Sequence, residues 1–293
     1  MISTRNIAVI LLFVVLLQLF SIFLTNEIVI SQQRIETFEP FGNETVEQAG
    51  LNTTFLLIPI IIFTIGFVVV IRIFGMKIFR YIIVAFTVFL AFMFNYFYTS
   101  TILNNHTFLN SSYIDTISLS SSIVLSVVII YSTLKHKIRL LLISAFIVLA
   151  ELGSYLSWVF VPPTLYVVIV AFAIYDIFAV FFGPLKYFVK ELGLPTKADK
   201  TMPKGRLKKI KSRINLGILT SYIGGMVMGS GDLIFYSLIV SSAFLFEGVG
   251  KALLVLLLIN MGIAINYILL NKFRRVLPGL PIPIFLAIIP FFI

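Results

Sequence analysis

Long apolar runs, separated by short polar connections, make up most of this chain. A helix needs about 20 mostly apolar residues to cross a bilayer, and nine runs come near or exceed that length. The pattern therefore predicts an all-α, polytopic membrane protein with nine transmembrane helices. The predicted spans lie at about 7–25, 54–74, 81–103, 116–134, 139–158, 164–189, 217–246, 249–271 and 280–293.

Composition agrees with this class and excludes several others. Hydrophobic residues are 60% of the 293 residues, and the mean hydropathy is +1.09. Nine spans leave no room for a large soluble domain. Because the chain contains no cysteine, disulfides, thiolate metal ligands and cysteine nucleophiles are excluded.

Lysine and arginine collect in alternate connections, which is the pattern of cytoplasmic segments. It predicts a cytoplasmic N-terminus and an external C-terminus, and only Arg34 and Lys251 depart from it. The net charge of +10 then reflects topology and attraction to anionic lipids, so nucleic acid is not an expected partner. The cytoplasmic cations are Arg5, then Arg72, Lys77 and Arg80, then Lys135, Lys137 and Arg139, then the cluster 186–213, then Lys272, Arg274 and Arg275.

One long basic connection divides the chain. We expect a six-helix part at 1–190, a basic cytoplasmic loop at 191–215 and a three-helix part at 216–293. Pro, Gly and Lys in the loop indicate a solvated linker near the lipid surface.

Two aspartates lie inside predicted spans, one on each side of this loop. An ionisable residue at membrane depth is costly, so Asp176 and Asp232 are interpreted as functional. Asp176 lies about 12 residues into the sixth span and Asp232 about 14 to 16 residues into the seventh. Antiparallel neighbouring helices would bring the two carboxyl groups level.

Two carboxyl groups in a low-dielectric site share one proton as a coupled pair. The ionised member takes a proton from attacking water, and the protonated member donates to the carbonyl oxygen. Neither aspartate has a fixed role. This is the chemistry of an aspartic protease.

Glycines and prolines surround the second aspartate and the last span. Gly229 and Gly231 flank Ser230 just before Asp232, which permits close backbone approach and local irregularity. Gly225 and Gly229 also fit a helix-packing motif. The segment from Pro278 to Pro281 is an ordinary helix start, or a backbone interruption that presents free polar groups to a substrate.

Three short motifs in order resemble the presenilin and signal peptide peptidase family, the GxGD intramembrane aspartyl proteases. They are Tyr175-Asp176, Gly229 to Asp232, and a PAL-like element at Pro278, Gly279 and Leu280. The resemblance implies that Asp176 and Asp232 are catalytic. It also implies that Tyr175, Gly229, Gly231 and the PAL-like element shape the active site, without metal or cofactor.

Two features depart from the family pattern. Gly279 stands where the family usually has alanine, which would loosen a helical position by about 0.5 to 1 kcal/mol. The loop between the sixth and seventh spans is short and basic, whereas presenilins carry a longer loop that is cut. We therefore expect an uncut, free-standing enzyme similar to the microbial, archaeal members, without obligatory partner subunits.

The predicted function is hydrolysis of peptide bonds within transmembrane segments, in the cell membrane, on transmembrane proteins or peptides. The sequence is also compatible with a homo-oligomer. The main alternative is a proton- or cation-coupled transporter, since intramembrane acids also carry ions; a prepilin-peptidase-like enzyme and an inactive scaffold are further alternatives.

We expect the other polar residues to lie outside the catalytic site. Glu151 in the fifth span has either a structural role or a place in a proton path. We expect Gln18 and Asn95 to hydrogen-bond neighbouring helices. The remaining candidates are glycosylation sequons at Asn43, Asn52, Asn105 and Asn110, on or near predicted outer segments.

Overall fold

The computed structural model describes residues 4–33, 35–181, 220–223, 226–273 and 278–292. Arg34 and the predicted loop at 191–215 lie outside these residues, so the three-part division stays a prediction. In chain order the elements are α1 (Thr4–Ser31), α2 (Val46–His106), α3 (Ser111–Leu134), α4 (Ile138–Val159), α5 (Thr164–Phe181), β1 (Thr220–Ile223), β2 (Met226–Gly229), α6 (Ser230–Glu247), α7 (Val249–Phe273) and α8 (Pro281–Ile288), which ends in a 3-10 turn (Ile289–Phe292).

The helical, multi-pass membrane architecture is confirmed. Within the described residues, seven helical segments are long and apolar enough to cross a bilayer, and Thr164–Val180 and Pro281–Phe291 form shorter apolar helices. Two of the seven, Val46–Gly75 and Tyr81–His106, are parts of α2. They meet at a kink at Gly75, which has φ 77°, a conformation that glycine adopts at little cost.

Helix α6 lies at the centre of the bundle and packs against α1, α4 and α7. Hydrogen bonds between hydroxyl groups connect these helices. Ser21 on α1 hydrogen-bonds Ser241 on α6 at 2.7 Å, and Thr25 on α1 hydrogen-bonds Ser154 on α4 at 2.8 Å. Such bonds satisfy polar groups that lipid cannot solvate. The core thereby holds the helix that carries Asp232.

Two interhelical hydrogen bonds predicted from single polar residues are confirmed. Asn260 on α7 donates to the Gln18 oxygen at 2.8 Å. Asn95 on α2 donates to Glu151 at 3.1 Å and accepts from Ser121 on α3 at 3.1 Å.

The predicted start of the seventh span is wrong. The strands β1 and β2 form an antiparallel hairpin, with Thr220 opposite Gly229 and Ile223 opposite Met226. Helix α6 begins only at Ser230, so Asp232 lies in its first turn rather than 14 to 16 residues into a helix. Hydropathy alone does not separate a short apolar strand from a helix, although the glycines before Asp232 did indicate irregular backbone.

The start of α5 is anchored by two of the sequon asparagines. The Asn43 side chain accepts from the Thr164 amide at 3.0 Å and donates to the Pro162 carbonyl at 2.6 Å. Asn52 is buried and donates to the Thr164 hydroxyl at 3.1 Å. The side-chain amides of Asn43 and Asn52 hold the start of the helix that carries Asp176. From the sequence these two residues were identified only as sequons, and this structural role was not predicted.

Candidate active site

The candidate site forms where α5, α6 and the segment before α8 meet. Asp176 lies on α5 and Asp232 in the first turn of α6. The PAL-like element, Pro278 to Leu280, precedes α8, which packs against α5 and α7. Tertiary packing thus brings together all three motifs that the sequence singled out.

Asp176 is held by the backbone of the PAL-like element. The Leu280 amide donates to Asp176 Oδ2 at 3.0 Å. A backbone N–H to a carboxylate is a charge-assisted hydrogen bond, among the stronger kinds in proteins. It holds Oδ2 of Asp176 on the PAL-like element.

Asp232 lies against the neighbouring residue, Gly279. A Cβ atom placed on Gly279 would be 2.4 Å from Asp232 Oδ2 and 2.8 Å from its Cγ, far closer than van der Waals contact. The absence of a side chain at Gly279 therefore lets the carboxyl group approach the backbone. Since Asp176 contacts Leu280 and Asp232 lies against Gly279, both acids lie on the same two-residue segment.

The Gly279 carbonyl accepts two side-chain hydrogen bonds. The Tyr236 hydroxyl on α6 and the Asn266 amide on α7 each donate to it at 2.9 Å. Sequence reasoning missed both residues. The available signals were weak: Tyr236 lies one helical turn after Asp232, and Asn266 is one of three asparagines in its apolar span.

A cavity of about 120 Å³ opens beside Asp232. Water needs polar partners and roughly 30 Å³ of liquid volume per molecule, so this cavity has room for a few water molecules. Both aspartates are partly exposed. The polar and glycine residues of its lining are Gly229, Asp232, Tyr236, Asn266, Tyr267 and Gly279, and Pro278 also contributes.

Of the other predicted site residues, Gly229 lines the cavity, whereas Tyr175 and Gly231 are less closely involved. The Tyr175 hydroxyl pairs with Thr64 on α2 at 3.2 Å, so it joins α5 to α2. A Cβ on Gly229 would meet Asp232 at an ordinary 3.5 Å, and one on Gly231 would meet nothing within 4 Å. Their roles in shaping the site stay predictions.

Glu151 lies apart from the cavity. It is buried on α4 and receives the hydrogen bond from Asn95. Among the described residues, no group of three or more His, Cys, Asp or Glu side chains is arranged to hold a metal ion.

Comparisons with known proteins agree with this arrangement. Residues 195–293 match the presenilin family model. Over 132 residues the chain is 31% identical to Presenilin-B of Dictyostelium discoideum, a match covering 44% of this chain and 25% of that protein. The chain thus spans about a quarter of the length of this curated relative.

Two solved structures share the fold along nearly the whole chain. Both are of a presenilin family intramembrane aspartate protease, in two crystal forms, at 19% identity. The TM-scores are 0.59 and 0.60; the first match covers 96% of this chain and 97% of the other, and the second covers 95% and 94%. The chain therefore has the fold of a presenilin-family protein and matches the family model over its last third, which confirms the similarity predicted from its three motifs.

Proposed function

We propose that this protein is an intramembrane aspartic endopeptidase that hydrolyses peptide bonds within transmembrane segments. The supporting observation is that two carboxyl groups from different helices lie on one backbone segment, and that Asp232 and Gly279 line a cavity large enough for water. The likeness to presenilin-family structures favours the same activity.

The proposed reaction uses water and both aspartates. One ionised carboxylate takes a proton from water as the water oxygen attacks the substrate carbonyl carbon. The other carboxyl group gives its proton to the carbonyl oxygen. On breakdown the C–N bond breaks, the amine nitrogen receives a proton, and the two acids exchange roles.

The hairpin offers a way to hold the substrate extended. A helical substrate hides its carbonyls in its own hydrogen bonds, so it must unwind before cleavage. Strand β2 leads directly into Asp232, and within the described residues it pairs only with β1. We propose that an unwound substrate adds a strand at the free edge of β2.

We further propose nine spans with a cytoplasmic N-terminus. The two shorter apolar helices, added to the seven longer segments, account for that number. Because the chain has no cysteine, single cysteines report topology cleanly. Asn110→Cys should react with an impermeant maleimide on intact cells, and Lys135→Cys only after permeabilisation; the reverse pattern would refute the orientation.

Cleavage of a transmembrane peptide by the purified protein tests the function. Asp176→Asn and Asp232→Asn should each lower turnover by about 10² to 10⁴, the usual contribution of acid–base catalysis. Asp115→Asn, on the exposed face of α3, is the matched control. Unaltered cleavage by either variant would contradict the dyad.

The same preparation decides between protease and transporter. Reconstituted into liposomes, a proton- or cation-coupled transporter would move ions and lose that flux on either substitution, without cutting peptide. Cleavage by the purified chain alone also tests whether partner subunits are needed. The mass of the purified protein in detergent, measured by light scattering, tests whether it forms a homo-oligomer.

A further inference from the structure

One peptide unit, the bond between Gly279 and Leu280, has all its polar groups engaged by side chains of three helices. Its N–H, from Leu280, donates to Asp176 on α5 at 3.0 Å. Its C=O, from Gly279, accepts from Tyr236 on α6 and from Asn266 on α7, each at 2.9 Å.

The sequence explains why this carbonyl is available. In an α-helix a carbonyl accepts from the amide four residues later, and the Ile284 amide does donate to the Leu280 carbonyl at 3.0 Å. The corresponding partner for the Gly279 carbonyl would be residue 283. That residue is Pro283, which has no N–H, so the carbonyl must find donors outside α8.

We propose that Tyr236 and Asn266 are positioning residues for both catalytic acids, an inference that rests on the proposed protease function. They hold the Gly279 carbonyl, and the same rigid peptide plane sets where the Leu280 amide meets Asp176. The plane also sets the surface of Gly279 on which Asp232 lies. A rotation of this one peptide unit therefore displaces both carboxyl groups together.

The two donors share one acceptor, and this predicts non-additive effects. Tyr236→Phe or Asn266→Leu alone leaves one donor on the carbonyl, so turnover should fall about tenfold or less, the equivalent of one hydrogen bond. The double variant leaves the carbonyl without either donor. Its turnover should fall by more than the product of the two single effects, with KM within about twofold because both donors act through the Gly279 carbonyl.

Matched controls separate positioning from general helix stability. Tyr155→Phe removes a tyrosine hydroxyl on α4, where the ring packs against Phe94 and Phe97. Asn260→Leu removes the hydrogen bond that the Asn260 side chain on α7 donates to Gln18 on α1. The control double variant should keep turnover near that of the unmodified protein. Its thermal unfolding midpoint should be no higher than that of the test double variant, so that lost stability cannot account for lost turnover.

Hydrogen–deuterium exchange supplies a readout that does not depend on cleavage. Loss of both donors should speed exchange of the Leu280 amide, and the control pair should leave it unchanged. The proposal is overturned if the test pair matches the control pair in turnover, or if Leu280 exchange does not change. Absence of cleavage by the unmodified protein would instead refute the proposed function, while exchange at Leu280 would still decide whether the two donors hold this peptide unit.

Discussion

Gly279 is the position where a single added atom should disturb the site most. In Gly279→Ala the new Cβ would lie 2.4 Å from Asp232 Oδ2, whereas real Cβ contacts begin at 3.0 to 3.4 Å. The carboxyl group must therefore move by about 0.6 to 1 Å. The backbone itself tolerates alanine, because Gly279 is not among the glycines with positive φ.

The expected effects on stability and on activity differ in size. Rotating the carboxyl group away from its rotamer costs about 0.5 to 1.5 kcal/mol, while replacing glycine by alanine gains about 0.4 to 1 kcal/mol through the unfolded chain. Net stability should change by no more than about 1 kcal/mol. Turnover should fall up to about 100-fold, since a displacement near 1 Å in a catalytic group costs that much.

Two measurements on the same sample check this reasoning. Thermal unfolding in detergent should show nearly unchanged midpoints, and cleavage of a transmembrane peptide should show the loss in kcat. Gly250→Ala is the matched control, because a Cβ there meets nothing within 4 Å. Full turnover by Gly279→Ala at an unchanged midpoint would refute the view that the missing side chain accommodates Asp232.

Three further predictions concern the packing behind the site. Gly262→Ala should lower stability by about 1 to 3 kcal/mol, because its Cβ would meet the Pro283 backbone at 2.5 Å; an unchanged unfolding midpoint would contradict this. Gly153→Ala should cost a similar amount, since its Cβ would lie 2.4 Å from Ser237 Cβ on α6, and it should lower kcat as well by shifting that helix; a stability loss with full kcat would show that α6 does not transmit the change. Asn43→Ala should cost about 1 to 3 kcal/mol by leaving its partners at the start of α5 unsatisfied, and mass spectrometry after expression in a glycosylating host should find the native Asn43 unmodified.

Much of the fold could be predicted from apolar runs and charge placement. The boundary errors arose where an apolar segment was not a helix. Residues 217–229 read as part of a span, yet 220–229 contain both strands of the hairpin. Strand pairing depends on a partner segment, and hydropathy carries no information about partners.

The candidate site, like the fold, could be predicted from the sequence only in part. Asp176 and Asp232 were found from the energetic cost of a carboxylate at membrane depth, and family resemblance singled out Pro278 to Leu280. Tyr236 and Asn266 were missed because neither residue type by itself marks a catalytic site. Their importance lies in reaching one carbonyl at 2.9 Å, a coincidence of three elements that no local pattern encodes.

The sequence by itself determined the membrane environment, the two intramembrane acids and, through Pro283, a carbonyl without a helical donor. These follow from local chemistry, because transfer free energy and the missing proline N–H belong to individual residues. Tertiary structure alone decided which groups meet at the Gly279–Leu280 peptide unit. Distances between helices depend on how whole side-chain surfaces pack, so the contact of both acids with one peptide could be seen only in the folded chain.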